Sequence, residues 1–121
     1  MAVVRYLVND VEEAIAFYTE VLDFALEQQM GAAFAIVSHG DLSLWLSGPE
    51  SSAARQMPDG RRPEPGGWNR LVVQVADLEG KVDELKQSGL SFRNEIVTGP
   101  GGKQILLEDN DGNAIELFEP R

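Results

Sequence analysis

An internal repeat constrains the fold of this chain more than any other feature of its sequence. The segment 70–79 matches the segment 3–12 at a constant offset, so that Asp77 corresponds to Asp10 and Val75 to Val8. In both copies a short apolar strand runs into an aspartate at a helix N-cap position. Each copy is too small to be stable by itself, so a tandem repeat is expected.

Both copies continue with the same predicted order of elements, which is strand, helix and three strands. In the first copy a strand over 3–8 precedes a helix that begins after Asp10, and its apolar residues recur at three- and four-residue spacing. The remaining strands are predicted at about 24–30, 32–38, 42–47, 70–75, 92–97, 103–107 and 114–118, with a second helix between Asp77 and Gly89. The predicted fold class is α+β, with two tandem βαβββ modules in one domain.

Between the repeats lies a segment, about 48–67, that is rich in Pro, Gly and Arg and has no apolar periodicity. It is longer than most loops of a compact domain. We interpret it as a connector that bridges module one, about 1–47, and module two, about 68–121; a lid over a site is the alternative. Trp68 at its exit could stack on a flat ligand or seal a subunit contact.

The charge of the chain limits its partners. Ten Lys and Arg against twenty Asp and Glu give a formal net charge of −10, which disfavours nucleic acid and anionic membranes. The acidity would favour a cationic small molecule, and solubility alone is the simpler explanation of it. No cysteine is present, so disulfides and thiolate metal sites are excluded. No apolar run is long enough to span a bilayer, and a cytoplasmic location is expected. The single histidine, His39, is predicted to lie in an exposed hairpin turn.

A carboxylate stands inside the last predicted strand. Residues 108–113 are crowded with Asp, Asn and Gly and predict a tight turn, and the alternating strand that follows contains Glu116. A carboxylate in such a position needs a partner elsewhere in the chain.

Several motifs together resemble the vicinal oxygen chelate superfamily, which includes glyoxalase I, extradiol dioxygenases and bleomycin-resistance proteins. They are the Asp-Val/Leu-Glu start of each helix, FY-x-x-VL-x-F at 17–24, GPGGKQ at 99–104 and DGNAIEL at 111–117. The resemblance covers nearly the whole chain. It implies that each module curls its sheet into half of a cup, that the cups form a cavity for a metal or a ligand, and that the chain forms a homodimer.

The family's metal positions can be carried over one residue at a time. The resemblance places them at Val3 and Arg70 in the first strand of each module, and at Glu116 in the last strand of module two. Aligning Gly40 with Gly112 adds Leu44 in module one. Only Glu116 is a residue type that binds a metal, whereas catalytic metal sites need three or four protein ligands. No metal and no other cofactor is therefore expected.

The same positions suggest that Arg70 and Glu116 form an ion pair across the cavity wall, in place of the metal. The pair could recognise a ligand or merely hold two strands together. By strand parity and the repeat alignment, further side chains are expected to line an apolar cavity with a few polar groups, while Trp45 is expected to face the helix. The expected ligand-binding residues are Arg5, Leu7, Leu44, Leu46, Arg70, Val72, Gln74, Gln104, Glu116 and Phe118.

Two functions remain open at this point. The first is a metal-independent binding protein of the glyoxalase/bleomycin-resistance type that sequesters a small molecule such as an antibiotic or a metabolite. The second is an enzyme of the superfamily, a lyase, an isomerase or a dioxygenase-like protein. In that case Glu116 would be the catalytic general base or one ligand of a metal site that the alignment does not reveal.

Overall fold

A computed structural model describes all residues from Met1 to Arg121. Its contacts divide the chain into two units, Met1–Gly66 and Gly67–Arg121. Each unit contains one four-stranded sheet and one α-helix of ten residues. Neither helix is long and apolar enough to cross a membrane.

The first unit has the predicted order of elements. Its strands and helix are β1 (Ala2–Leu7), α1 (Val11–Glu20), β2 (Ala25–Met30), β3 (Phe34–His39) and β4 (Leu42–Ser47), followed by a single 3₁₀ turn over Ser52–Ala54. The sheet order is β1-β4-β3-β2, in which β1 runs parallel to β4 and the other neighbours are antiparallel. A parallel β1–β4 pair requires a crossover connection, and α1 lies within it.

Local sequence explains where α1 begins and which face it buries. The Asp10 side chain accepts a hydrogen bond from the backbone N–H of Glu13 at 3.1 Å, which satisfies one of the unpaired donors of the first turn. The helix buries apolar residues that recur at helical spacing against one face of the sheet. The buried side chains of this core include Val11, Ala14, Phe17, Tyr18, Ala35, Val37, Leu44 and Leu46.

The second unit repeats this arrangement. It contains β5 (Arg70–Gln74), α2 (Leu78–Gln87), β6 (Val97–Gly99), β7 (Gly102–Glu108) and β8 (Ala114–Pro120), in the sheet order β5-β8-β7-β6. Asp77 caps α2 by accepting from the N–H of Gly80 at 3.1 Å, and Gly89 follows the helix with a positive φ of 90°. The α+β class and the two βαβββ-like modules are thus confirmed.

One predicted strand is largely wrong. Residues 92–97 do not form a continuous strand, since Phe92 makes one isolated bridge to β7 and β6 begins only at Val97. The backbone N–H of Leu106 donates to the side-chain oxygen of Asn94 at 2.9 Å instead of to a strand carbonyl. A side chain that takes a donor from the ladder interrupts strand pairing at that point.

The prediction for His39 is also wrong. It is the last residue of β3, it is only half-exposed, and its ring centroid lies 5.1 Å from that of Phe24. Packing against an aromatic ring explains why it does not extend into the solvent.

Candidate functional site

In each unit one face of the sheet is covered by the helix, and the other is called here the helix-free face. In β5 the side chains of Leu71 and Val73 are buried on the helix side, while Arg70, Val72 and Gln74, which alternate with them, are exposed. This alternation follows from the two-residue period of a strand. Functional side chains of either unit have to be sought on its helix-free face.

The ion pair between Arg70 and Glu116 is present, as the sequence predicted. Arg70 Nε donates to Glu116 Oε1 at 3.2 Å, and the two side chains are 32% and 10% exposed. Their strands, β5 and β8, are parallel neighbours, and Glu116 pairs in register with Val72. Arg70 precedes Val72 by two residues in β5, so its side chain lies on the same face of the sheet as that of Glu116. The guanidinium thereby supplies the partner that a nearly buried carboxylate needs.

Around this pair the helix-free face of the second unit is mixed in character. Strand register places Val72, Gln74, Gln104 and Phe118 on the same face as Glu116, as parity predicted. Leu106 lies beside Glu116 and is 8% exposed. The face therefore combines apolar surface with two amide side chains and one neutralised charge pair.

The loop before β8 fixes the start of that strand. Asp109 Oδ1 accepts from the backbone N–H groups of Asp111 and Asn113, and Asp109 Oδ2 accepts from the Asn113 side-chain amide, each at 2.9 Å. Gly112 adopts a positive φ of 82° inside the loop. The tight turn predicted from Asp, Asn and Gly is confirmed, and it determines which face Glu116 occupies.

In the first unit two expected ligand-binding residues, Leu44 and Leu46, do not lie on the predicted face of the sheet. Leu44 and Leu46 have no exposed surface, and they pair in register with Val37 and Ala35 of the helix-covered core. Neither side chain can therefore contact a ligand on the helix-free face.

The cause of this error is the length of two hairpin loops. Ile36 pairs with Trp45, nine residues further along the chain, whereas Leu106 pairs with Glu116, ten residues further along, so the β7–β8 hairpin is one residue longer than the β3–β4 hairpin. Gly40 and Gly112 occupy different positions in these loops, and aligning them shifts β4 by one residue. A one-residue shift moves every side chain of a strand to the opposite face.

Register gives the correct counterpart of Glu116, which is Trp45. Arg5 pairs with Trp45 in the first unit as Val72 pairs with Glu116 in the second, and Arg5 corresponds to Val72 in the repeat. The expectation that Trp45 faces the helix is therefore wrong. The parallel pairing with the first strand of each unit places it correctly, because Val3 pairs with Ser43 as Arg70 pairs with Ala114.

Trp45 belongs to an aromatic cluster around Arg5. The guanidinium carbon lies 5.1 Å from the Trp45 ring centroid and 6.0 Å from that of Phe34, within the range of a cation–π interaction. Arg5 Nη1 also donates to Ser47 Oγ at 3.0 Å. Arg5 and Leu7 both lie on the helix-free side, as parity predicted, because β1 pairs in register with Trp45 and Ser47 of β4.

A third arginine, Arg93, which sequence reasoning did not single out, contacts the end of the connector. Arg93 Nε donates to Glu108 Oε2 at 2.6 Å, and its two other nitrogens donate to the carbonyls of Gly67 and Gly112. Its guanidinium carbon lies 4.7 Å from the ring centroid of Trp68, which is 72% exposed. This arginine holds residues from three separate segments together.

The residues at the superfamily's metal positions do not fit a divalent cation. With Trp45 in place of Leu44, the four positions are Val3, Trp45, Arg70 and Glu116, of which one has a ligand side chain. Nowhere in the chain do three or more His, Asp or Glu side chains converge in a metal-binding group. A guanidinium beside the one carboxylate opposes the binding of a cation there.

These two βαβββ-like units define a class of protein. The sequence profile of the Glyoxalase/Bleomycin resistance protein/Dioxygenase superfamily matches residues 1–117, and the chain belongs to this superfamily.

Individual members of the superfamily resemble this chain over most of its length. Virulence protein STM3117 of Salmonella typhimurium is 27% identical over 93% of this chain and 78% of its own. The crystal structure of TnmS3, an antibiotic binding protein from Streptomyces sp. CB03234, is 27% identical with a TM-score of 0.75, covering 98% of this chain and 93% of that one. The crystal structure of lactoylglutathione lyase from Agrobacterium tumefaciens is 17% identical with a TM-score of 0.78, covering 98% of this chain and 92% of that one. This likeness concerns the fold alone.

Proposed function

We propose that this protein is a metal-independent binding protein that holds a small molecule on a helix-free sheet face, and that it sequesters an antibiotic or a metabolite. The observation that carries the proposal is the ion pair of Arg70 with Glu116 at 3.2 Å. At a position where metal-dependent relatives are expected to have a ligand, this chain has a permanent positive charge that already neutralises the neighbouring carboxylate.

The composition of the helix-free faces supports binding of an organic molecule. Small-molecule sites are mostly apolar with a few placed polar groups. The helix-free face of the second unit has Val72 and Phe118 beside Gln74 and Gln104, and Val72 is 50% exposed. That of the first unit has Leu7 and two aromatic rings beside Arg5. We propose these residues as ligand contacts, without Leu44 and Leu46.

The likeness to TnmS3 supports the same class of function. That protein is described as antibiotic binding, and its identity of 27% extends over 98% of this chain. The likeness to the lyase, at 17% identity, carries no argument about catalysis.

A binding screen on metal-stripped protein tests the proposal. The protein is treated with EDTA, its residual metal is measured by elemental analysis, and thermal shift is recorded with a panel of antibiotics that includes bleomycin and differs in charge and ring size. Hits are expected to bind with unchanged affinity after EDTA treatment, as measured by calorimetry. A stoichiometric metal in the untreated protein, or loss of every hit after EDTA, would show that the binding is not metal-independent.

Variants separate recognition by the pair from simple strand stabilisation. Arg70→Ala and Glu116→Ala are compared with Arg61→Ala, which removes an exposed ion pair with Asp59 elsewhere in the chain. If the pair recognises the ligand, the first two variants lose hits that Arg61→Ala retains. If Arg70→Ala and Glu116→Ala keep every hit and lose only stability, the ion pair has a structural role alone.

An enzyme remains the second candidate, because Glu116 is a carboxylate on the helix-free face with 10% of its side chain exposed. Turnover of a bound hit that disappears in Glu116→Gln, while binding persists, would establish it as a general base. Binding without turnover would favour sequestration.

We further propose that the protein acts as a homodimer in the cytoplasm. Light scattering on the purified chain at several concentrations tests the assembly, and a mass of 13.3 kDa throughout would refute it.

A further inference from the structure

We infer that the helix-free face of the first unit recognises a planar aromatic anion, such as an aromatic carboxylate, through Arg5. This inference rests on the proposed binding function and specifies the chemistry of the ligand. It differs from the expectation of a cationic ligand that the overall acidity of the chain suggests.

The first step concerns the position of the guanidinium. Arg5 lies against two aromatic rings, with its guanidinium carbon 5.1 Å from the Trp45 centroid and 6.0 Å from the Phe34 centroid. The rings themselves pack edge to face at 5.7 Å, and Ser47 Oγ accepts from Nη1 at 3.0 Å. An arginine held in this way has lost much of its rotamer freedom before any ligand arrives, so less entropy is lost on binding.

The second step concerns the charge of Arg5. Arg61, Arg70 and Arg93 each pair with a carboxylate at 3.2 Å or less. Arg5 forms no ion pair with a carboxylate within 4.0 Å, although acidic residues outnumber basic ones by twenty to ten. The Arg5 guanidinium therefore has no carboxylate partner, whereas the guanidinium of Arg70 in the second unit is paired with Glu116.

The third step concerns the space beside this charge. A recess of about 310 Å³ is lined by Arg5, Met30, Ala33, Phe34, Ser51 and Ser52. Its volume lies at the lower end of the roughly 300–1,000 Å³ typical of small-molecule sites. The aromatic ring and the thioether form an apolar surface for a flat ring, and the guanidinium lies at the same recess.

These features together select the ligand class. A planar guanidinium binds a carboxylate through two parallel hydrogen bonds, and this geometry is not available to an ammonium group. Arg5 is the only charged residue among those that line the recess, so the charge nearest to a bound ligand is positive. The local charge therefore decides the sign of the ligand.

Matched probes test the inference in 150 mM salt. They are 2-naphthoate, its neutral amide 2-naphthamide, the cationic 2-naphthylmethylammonium, and the non-aromatic cyclohexanecarboxylate. Binding is followed by quenching of Trp45 fluorescence in a Trp68→Phe background, where Trp45 is the remaining tryptophan. We expect 2-naphthoate to bind at least about tenfold more tightly than each of the other three, a factor that corresponds to about 1.4 kcal/mol.

Variants of Arg5 assign the preference to this residue. Arg5→Gln is expected to abolish the difference between 2-naphthoate and 2-naphthamide, Arg5→Lys to retain only part of it, and Arg61→Gln to leave it unchanged. Circular dichroism establishes that each variant is folded, and the comparison of probes on the unmutated chain stands even if Arg5→Gln fails to fold.

The failure of this inference can be told apart from failure of the proposed function. If 2-naphthoate does not bind, binds no better than the amide, or keeps its advantage in Arg5→Gln, the inference is overturned. Should the antibiotic panel nevertheless give EDTA-resistant hits, the proposed binding function stands with a different ligand class. If the panel gives no hits and 2-naphthoate binds as expected, the aromatic anion itself is the ligand class and sequestration of the antibiotics in the panel is excluded.

Discussion

Removing Arg70 while leaving Glu116 in place tests the energetic reasoning about the ion pair. The substitution Arg70→Leu leaves a carboxylate whose side chain is 10% exposed without its partner. Removing one partner of a fully buried pair costs about 3–5 kcal/mol, whereas exposed pairs contribute about 0.2–1 kcal/mol. Because Arg70 itself is 32% exposed, we expect an intermediate loss of about 1–2 kcal/mol in the free energy of unfolding.

The double variant Arg70→Leu/Glu116→Leu supplies the decisive comparison. It removes both charges and leaves apolar side chains beside Leu106, so its stability is expected within about 1 kcal/mol of the unmutated chain. The double variant should therefore be more stable than Arg70→Leu alone. A double-mutant cycle completed with Glu116→Leu yields the coupling energy of the pair.

Equilibrium unfolding in urea measures these differences. Tryptophan fluorescence and far-UV circular dichroism are recorded together, and coincident transitions establish that a single free energy of unfolding is defined. A double variant no more stable than Arg70→Leu, or a coupling energy below about 0.3 kcal/mol, which is within the scatter of additive sites, would refute the view that the guanidinium compensates a desolvated carboxylate.

Three further outcomes follow from the structure. Leu44→Ala should lower the unfolding free energy by about 2–5 kcal/mol in urea titrations, yet leave ligand affinity of the folded protein unchanged, since Leu44 lies in the helix-covered core. Gly102→Ala should disrupt the β7–β8 pairing, because Gly102 has a φ of 149° and an added Cβ would collide with a backbone carbonyl of β8. The disruption would be seen as a loss of far-UV circular dichroism signal. Gly101→Ala, whose Cβ would meet no atom closer than 3.9 Å, serves as its control. The hydrogen bond that Lys103 Nζ donates to the Glu79 carboxylate raises the pKa of Lys103 above 10.5. The contribution of this bond to stability is therefore complete below pH 10.5 and is lost as pH rises through the folded-state pKa, and Glu79→Gln should return the NMR titration of Lys103 toward 10.5.

Much of the fold could be predicted because its signals are local. The aspartates that cap α1 and α2, the apolar spacing of both helices and the turn before β8 are all encoded by neighbouring residues. Parity placed Arg70, Val72 and Gln74 on one face of β5, whereas the pairing of Arg70 with Glu116 was predicted from the metal positions that the family resemblance implies.

The errors arose where non-local pairing decides the structure. The faces of Leu44, Leu46 and Trp45 depend on the hairpin loop before β4, and no property of the strand's own sequence distinguishes the two registers. The interrupted strand near Asn94 depends on a side chain that reaches a β7 backbone donor twelve residues away. The cluster of Arg5 with two rings could be recognised only after β1 and β4 were known to pair.

The unequal hairpin loops also bear on how such a repeat can diverge after duplication. A residue gained or lost within strand β4 or β8 would exchange the helix-covered and the helix-free side chains along the rest of that strand, whereas the hairpin loops before them tolerate a difference of one residue. Insertions and deletions accepted during evolution are therefore expected in these loops. The two halves could then acquire a tryptophan and a glutamate at equivalent positions while Leu44 and Ile115 kept the same place in each core.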